Sequence, residues 1–319
     1  MSDALLVEVA EVIAETPAIR SLRLKKLDGT PFSPFPAGAH IDVTGPTGVL
    51  RQYSVASDPS DQSSIVIAVK REALSRGGSE ALHQVSVGDH LRIGRPRNLI
   101  CIADDADRHL LVAGGIGVTP LLSMAYELHS RGADFELHYF ARSRDDVAFA
   151  DLLEQRAEFR DKVTLHIGRP REEHTSVLTP LTTTLTAHSY VYTCGPDGFM
   201  AQVTNVFAPV VGADHVHIEH FVAEDIDTTA DRAFTVELAS GEIFEIPPDR
   251  SILSVLEENG IEVFKSCQEG ICGSCVSGIL EGKADHRDSC LSAADKAAGN
   301  EIALCVSRAL SDKLKIELY

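Results

Sequence analysis

Three cysteines crowd into nine residues of SCQEGICGSC, at Cys267, Cys272 and Cys275, and a fourth, Cys305, waits downstream in IALCVSRAL. C-x4-C-x2-C followed by one distant cysteine is the spacing of a plant-type [2Fe–2S] site. Two bridged irons need four thiolates converging on a small volume, and three can come from one loop only if it curls around them. Gly270 and Gly273 lie inside that loop and can take positive φ or allow close backbone approach. A curled loop also turns amide N–H groups toward the sulfurs, which stabilises a more negative cluster. Zinc is the rival ligand, but structural zinc sites favour paired C-x2-C knuckles, and only one such pair is present here. Cys290 and Cys101 fit no ligand position and are expected to be packing residues.

Further motifs suggest nucleotide chemistry. HLLVAGGIGVTPLLSMAYEL reads as a strand, a turn and a helix. Its Gly114, Gly115 and Gly117 can let backbone approach a pyrophosphate at a helix N-terminus. It departs from G-x-G-x-x-G, and a tight turn with no ligand remains open. YTCGPDGFM supplies a second such turn, in which Cys194 reads equally as core or as a neighbour of a nicotinamide ring. RQYSVAS places Arg51 and Tyr53 on one strand face and Ser54 on the other. Tyrosine can stack on a planar ring and arginine can hold a phosphate, although an ordinary β-strand would look the same. SRGGS, with Arg76, Gly77, Gly78 and Ser79, is a Gly-rich turn before a short helix and a candidate phosphate cradle.

The positioning elements fall into three textures. Up to about residue 103, alternating runs (IRSLRLKKL, HIDVTG, RQYSVAS, SIVIAVKRE, HLRIGRP) punctuated by Gly and Pro predict a small antiparallel barrel. From there to about 224, apolar strands alternate with amphipathic helices, as in a parallel sheet covered on both faces. Acidic, small-residue sequence at 225–233 reads as a linker. Residues 234–319 predict a hairpin turning at Ser240-Gly241, then a helix in SILSVLEENG capped by Ser251 and stopped at Gly260. The chain of 319 residues is long enough for two or three such domains. Its net charge of −18 argues against nucleic acid and anionic membrane as partners. The N-terminus lacks a basic, apolar signal pattern and no apolar run is long enough to span a bilayer. A cytoplasmic location is therefore expected, where clustered thiols stay reduced and favour a metal over disulfides.

Taken together, the motifs resemble the ferredoxin reductase superfamily, specifically the phthalate dioxygenase reductase and vanillate demethylase reductase type. R-x-Y-S, then G-G-I-G-x-T-P and C-G-P, then a C-terminal ferredoxin appear in that order over nearly the whole chain. The resemblance implies a multidomain fold: an antiparallel β-barrel flavin domain at 1–103, an α/β NAD-binding domain with a parallel sheet at 104–224, a linker at 225–233, and an α+β (β-grasp) ferredoxin domain at 234–319. It implies that Arg51, Tyr53 and Ser54 contact the flavin, that Ala68, Val69 and Lys70 border it, and that Arg76, Gly77, Gly78 and Ser79 hold its phosphate. That turn implies FMN rather than FAD. Gly115, Gly117, Thr119 and Pro120 match the nicotinamide-domain turn, and Cys194, Gly195 and Pro196 the turn beside the nicotinamide. Phe221 matches the aromatic that covers the flavin, with Glu219 in the same motif. Arg142, Ser143 and Arg144 sit where the family reads the adenosine ribose. They could hold a 2′-phosphate, but Asp145 and Asp146 would repel it, so NADH is expected over NADPH.

The implied route runs from NADH to FMN, to the cluster and then to an outside acceptor, because a flavin can take a hydride's two electrons and release them singly. A plant-type cluster sits at roughly −400 mV by class. No general base is expected, and His220 and His286 are read as structural. The implied partner is a Rieske-type oxygenase acting on aromatic or small organic acids. Residues 234–319 carry 8 Lys and Arg against 15 Asp and Glu, or 8 − 15 = −7, which suits docking to a basic face. A reductase for a haem monooxygenase and a redox-sensing module are the alternatives.

Overall fold

Alternation of buried and outward residues marks strands of the N-terminal sheet, as in VEV of β1 and HLRI of β6. Its strands are β1 (Leu5–Ala14), β2 (Ile19–Lys26), β3 (His40–Thr44), β4 (Leu50–Ser54), β5 (Ile65–Lys70) and, after the short helix α1 (Gly78–Leu82), β6 (His90–Ile93). The order β4-β3-β6-β1-β2-β5 is antiparallel throughout, and a Val55–Ile67 bridge joins its two ends into a barrel. Leu22, Leu24, Ile41, Ile65 and Ile67 fill the interior. Strand β1 was not among the runs anticipated from sequence. The computed structural model describes residues 4–73, 77–156, 158–223 and 226–319.

Next come β7 (Arg108–Gly114), α2 (Val118–Ser130), β8 (Phe135–Ala141), α3 (Ala150–Gln155), β9 (Val163–Ile167), α4 (His174–Leu178), β10 (Ser189–Cys194), α5 (Asp197–Val211) and β11 (Val216–Glu219). The five strands are all parallel, in the order β11-β10-β7-β8-β9. Both faces of β7 are apolar because helices cover both. Leu111 and Ala113 join the core beneath α2, while Leu110 and Val112 join the one beneath α5. The α2-side core continues into the barrel through Ile19, Ala37, Ala56, Ala68 and Ile100. Barrel and parallel sheet therefore share one interior, and residues 1–219 form a single compact unit. Glu15 adds a polar tie, accepting hydrogen bonds from Ser21 Oγ (2.6 Å) and from the Phe149 N–H (2.9 Å).

The second unit, residues 220–319, contains β12 (Phe234–Leu238), β13 (Ile243–Ile246), α6 (Ile252–Glu258), β14 (Val276–Glu281), β15 (Ala284–Asp285), α7 (Ala293–Ala298), β16 (Glu301–Ala303), β17 (Arg308–Ala309) and β18 (Lys313–Glu317). The order β13-β12-β18-β14-β16, with β12 and β18 parallel and α6 packed on the sheet, is a β-grasp. Gly241 takes φ 100° in the anticipated hairpin turn. Ser251 caps α6 by accepting from the Ser254 N–H at 3.1 Å. A Ser292–Asp295 capping box starts α7, and Gly299 at φ 67° ends it.

Asp231 lies inside the stretch anticipated as linker, yet its side chain is almost fully buried. Arg287 donates to it through both terminal nitrogens, and Arg308 Nε stands 3.5 Å away. Arg308 also donates to the carbonyls of Arg232, Pro247 and Arg250 and lies over the Phe234 ring. The end of the linker sequence is thus anchored to the ferredoxin unit. Removing the carboxylate would take the ion pair from the largely buried Arg308 guanidinium and leave Arg287 with Asp285 alone. Asp231→Ala is expected to destabilise this unit by about 3 kcal/mol, read as a lower urea midpoint for the loss of cluster absorption.

Candidate functional site

Where the barrel meets the sheet, Ser54 at the end of β4 faces Glu219 at the end of β11, with Ser54 Oγ 3.4 Å from Glu219 Oε1. Cys194 pairs in register with Glu219 across β10 and β11, which places both side chains on one sheet face. All three are buried. Glu219 Oε2 has no hydrogen-bond partner. Burial pushes the Glu219 carboxyl up to about 8, against the opposing hydrogen bond from Ser54. Burial, reinforced by Glu219, also pushes the Cys194 thiol well up. The seam therefore holds a carboxylic acid and a thiol, both protonated at neutral pH. Sequence reading had Ser54 and Cys194 in hand, but gave Glu219 no definite role. Its signal was a lone acid ending the short strand VHIE.

The other barrel candidates gather nearby. A Cβ on Gly78 would stand 3.0 Å from Arg51 Cγ, so Gly78 lies on the Arg51 side chain. Gly77 takes φ 93° at the start of α1. The Ser79 hydroxyl accepts from the Glu72 N–H. Arg76 lies outside the described residues. Tyr53 is half-buried against the barrel core, and burial pushes its hydroxyl up to about 12 despite Arg51. Ala68 sits in the shared core, Val69 in the barrel core, and Lys70 outside, paired with Glu72.

The two glycine turns meet backbone to backbone. A Cβ on Gly117 would fall 2.1 Å from the Cys194 carbonyl oxygen, and one on Gly195 would fall 3.1 Å from Gly114 Cα. At Gly117 the contact itself requires glycine, and at Gly195 it is tight. Gly115 differs: it has φ 57° and nothing within 4 Å of its missing Cβ, so its backbone faces open space. Thr119 and Pro120 are buried in the first turn of α2, where Thr119 Oγ1 donates to the Ile116 carbonyl at 3.0 Å. Pro196 is the N-cap of α5.

After β8, Arg144 is engaged by Glu154 through both terminal nitrogens, and Ser143 Oγ donates to Asp146. Two groups that could hold a 2′-phosphate are thus engaged by neighbouring carboxylates, while Arg142 is exposed, its carbonyl oxygen 3.6 Å from where a Cβ on Gly168 would stand. Sequence reading missed Arg171. It follows β9 and lies over the first turn of α5, where a Cβ on Gly198 would stand 2.5 Å from its guanidinium. The signal was present in GRPRE, an arginine-bearing turn placed after β9 as FARSR is after β8.

In the second unit the four thiols meet as two pairs. Cys267 and Cys272 are hydrogen-bonded to one another, as are Cys275 and Cys305. Sharing that bond pushes Cys267 and Cys305 up and Cys272 and Cys275 down. Amides surround the sulfurs: the Glu269 N–H donates to Cys267 Sγ (3.3 Å), the Cys267 N–H to Cys272 Sγ (3.4 Å), and the Gly270 N–H to Cys305. Gln268, Gly270 and Gly273 all have positive φ, which curls the loop. Among the described residues, no three His, Cys, Asp or Glu side chains are arranged to hold a single ion. The four converging thiols suit the two-iron cluster that the plant-type spacing implies. Cys290 is half-buried, 3.5 Å from Asp288 Oδ2, and takes no part. Cys101, expected to pack, is exposed instead, because the segment after the barrel runs over the surface there. Phe221 is half-buried and belongs to the second unit.

A barrel and a parallel sheet sharing one buried seam, with a thiol-paired β-grasp unit, define an electron-transfer oxidoreductase dependent on FMN, [2Fe–2S] and NAD(H). Residues 236–310 match the 2Fe-2S iron-sulfur cluster binding domain family. The chain is 40% identical over 303 residues to the vanillate O-demethylase oxidoreductase of Pseudomonas sp. (strain HR199 / DSM 7063), covering 94% of this chain and 95% of that one. It matches the solved structure of phthalate dioxygenase reductase, described as modular for electron transfer from pyridine nucleotides to [2Fe-2S], at 37% identity and TM-score 0.69, covering 99% and 98%. It also matches an intact type IV self-sufficient cytochrome P450 monooxygenase at 34% identity and TM-score 0.88, covering 98% of this chain and 41% of that one. The chain belongs to the phthalate dioxygenase reductase family, the electron-transfer reductases of oxygenase systems.

The raised Glu219 carboxyl has a definite signature. A folded-state value of about 8 lies above the unfolded carboxylate range, so the folded state holds the proton more tightly. That contribution to stability is full below the ordinary carboxylate range and is lost as pH rises toward about 8, at roughly 1.4 kcal/mol per unit. Glu219→Gln removes it. Urea unfolding from pH 5 to 9 should show the variant gaining on the parent protein as pH rises. Gly117→Ala is expected to part the two glycine turns, abolishing NADH-dependent flavin bleaching while leaving the cluster absorption in place.

Proposed function

We propose that this chain is the reductase component of a Rieske-type non-haem iron oxygenase, drawing electrons from NADH and delivering them singly. The reading rests most on the paired thiols in a unit of their own, downstream of the flavin and nicotinamide turns. Such a unit serves an external one-electron acceptor. The similarity to vanillate and phthalate oxygenase reductases supports the choice of acceptor. We assign FMN to 1–103, NADH to 104–224, a linker to 225–233, and the cluster to 234–319.

In this reading Arg51, Tyr53, Ser54, the 68–70 strand and the Arg76–Ser79 turn hold FMN. Gly115, Gly117, Thr119, Pro120, Arg142, Cys194, Gly195 and Pro196 place the nicotinamide nucleotide, and Phe221 matches the family's flavin-covering aromatic in sequence. FMN supplies the exchange between a two-electron hydride donor and a one-electron acceptor. Glu219 keeps its proton at neutral pH and so puts no negative charge in the seam. Ser54 and Cys194 complete its dry surroundings, which exclude water from a hydride path. Asp145 and Asp146 beside Arg144 would repel a 2′-phosphate, which favours NADH over NADPH. Cys267, Cys272, Cys275 and Cys305 hold the cluster.

Among the described residues, no helix is long and apolar enough to cross a membrane, which suits a cytoplasmic role. The ferredoxin segment's charge of 8 − 15 = −7 suits a basic docking face on the partner. A second reading, reduction of a haem monooxygenase, is favoured by the likeness to the self-sufficient P450.

Anaerobic NADH titration should bleach both the flavin and the iron–sulfur bands, with about three electrons taken up per chain, two by flavin and one by cluster. NADPH should do so far less efficiently. Flavin bleaching without a cluster band would overturn the cysteine assignment. Stopped-flow mixing of the reduced protein with a purified Rieske oxygenase and with a P450 haem domain decides the acceptor. Preference for the first, falling as salt rises, is expected. Salt-independent transfer would remove the docking argument, and preference for the haem domain would establish the second reading.

A further inference from the structure

One carboxylate in the ferredoxin unit is buried beside the thiol loop and has no part in ligation. The Asp288 side chain is fully buried. Its Oδ1 accepts from Ser307 Oγ at 3.0 Å, and its Oδ2 accepts from the Leu291 N–H at 3.0 Å. Ser307, two residues beyond Cys305, also accepts from the Arg287 N–H. Asp288 therefore ties the 287–291 segment to the segment carrying Cys305.

The same segment grips the thiol loop through Gly270. The Gly270 carbonyl accepts from the Ser289 and Cys290 N–H groups at 3.0 and 3.1 Å, and the other side of this residue donates its N–H to Cys305. The approach is tight: a Cβ on Gly270 would stand 3.2 Å from Asp288 Cα and 2.7 Å from Val306 Cγ2. One glycine thus separates Asp288 from a ligand sulfur. A buried negative charge at that range acts in a low dielectric, where Coulomb interactions are strong. The cation nearest to it is Lys296, which donates to the Asp288 carbonyl and has Nζ 3.8 Å from Oδ2. The His286 ring lies 3.6 Å from Oδ1.

We propose that Asp288 is a positioning and tuning residue for the cluster, whose buried carboxylate makes uptake of the electron harder and keeps the cluster a strong donor, with Lys296 partly offsetting it. The proposal rests on the [2Fe–2S] assignment to the four cysteines. When the cluster takes one electron from reduced flavin it gains one negative charge. The carboxylate opposes that gain and the ammonium favours it. The two side chains should therefore move the potential in opposite directions when removed.

The experiment is a spectroelectrochemical titration of the full chain, loaded with FMN and cluster, with the reduced cluster followed by electron paramagnetic resonance. Asp288→Asn should raise the ratio of reduced to oxidised cluster at a fixed potential about tenfold, equivalent to ~59 mV for one electron. Lys296→Met should lower that ratio. Unchanged ratios in both variants, or shifts of the same sign, would overturn the proposal. If Asp288→Asn assembles no cluster, Lys296→Met decides alone: a lowered ratio supports the charge effect, and an unchanged or raised one rejects it. Absence of an iron–sulfur signal in the parent protein would be a failure of the cysteine assignment instead, and so is distinguishable.

Discussion

The common interior of barrel and parallel sheet is the constraint from which the first unit's chemistry follows. Ile19, Ala37, Ala56, Ala68 and Ile100 enter the same core as Leu111, Ala113 and α2. Small side chains at three of these five positions let the barrel wall come close to the sheet. That closeness sets the end of β4 against the ends of β10 and β11, and so Ser54 against Glu219 and Cys194. Were the two sheets joined only by surface contacts, water would reach the carboxyl and its value would return to the ordinary carboxylate range. The raised Glu219 is thus a consequence of shared packing more than of any single neighbour.

Glycine acts differently in the two units. In the first, Gly117 lets two backbone turns meet where any side chain would block them and Gly195 packs tightly beside it, while nothing lies within 4 Å of where a Cβ on Gly115 would stand. In the ferredoxin loop, Gly270 and Gly273 supply positive φ, and Gly270 is also squeezed between Val306 and Asp288. A glycine-rich motif can therefore reflect chain-to-chain approach and ligand approach together. Spacing by itself does not separate them, which is why the sequence left a turn without a ligand open for G-G-I-G.

Much of the architecture was legible because the periodicities are clean. The strands at 19–26, 40–44 and 90–93, the hairpin at Gly241 and the helix capped by Ser251 all follow local rules of alternation, turn chemistry and capping. The cysteine spacing was legible because a curled loop leaves little freedom in where thiols fall. What was hidden depends on distant partners. The burial of Asp231 needs Arg287 and Arg308 from far along the chain, and its local sequence of small and acidic residues reads as linker. Cys101 was expected to pack, but nothing in its neighbourhood reveals that the chain passes over the surface there. Arg171 was overlooked because its relation to Gly198 joins a loop after β9 to a helix after β10.

The thiol pairing carries the argument furthest. Here Cys267 keeps to Cys272 and Cys275 to Cys305, so the loop and the distant strand end each contribute to a divided set. Cys267 and Cys272 both come from the loop, whereas Cys275 immediately precedes β14 and its mate Cys305 follows β16. Asp288 and Gly270 lie at that second pair. The half of the site built from distant sequence is therefore the half that the buried carboxylate supports, and it depends on tertiary packing where the other half depends on loop conformation.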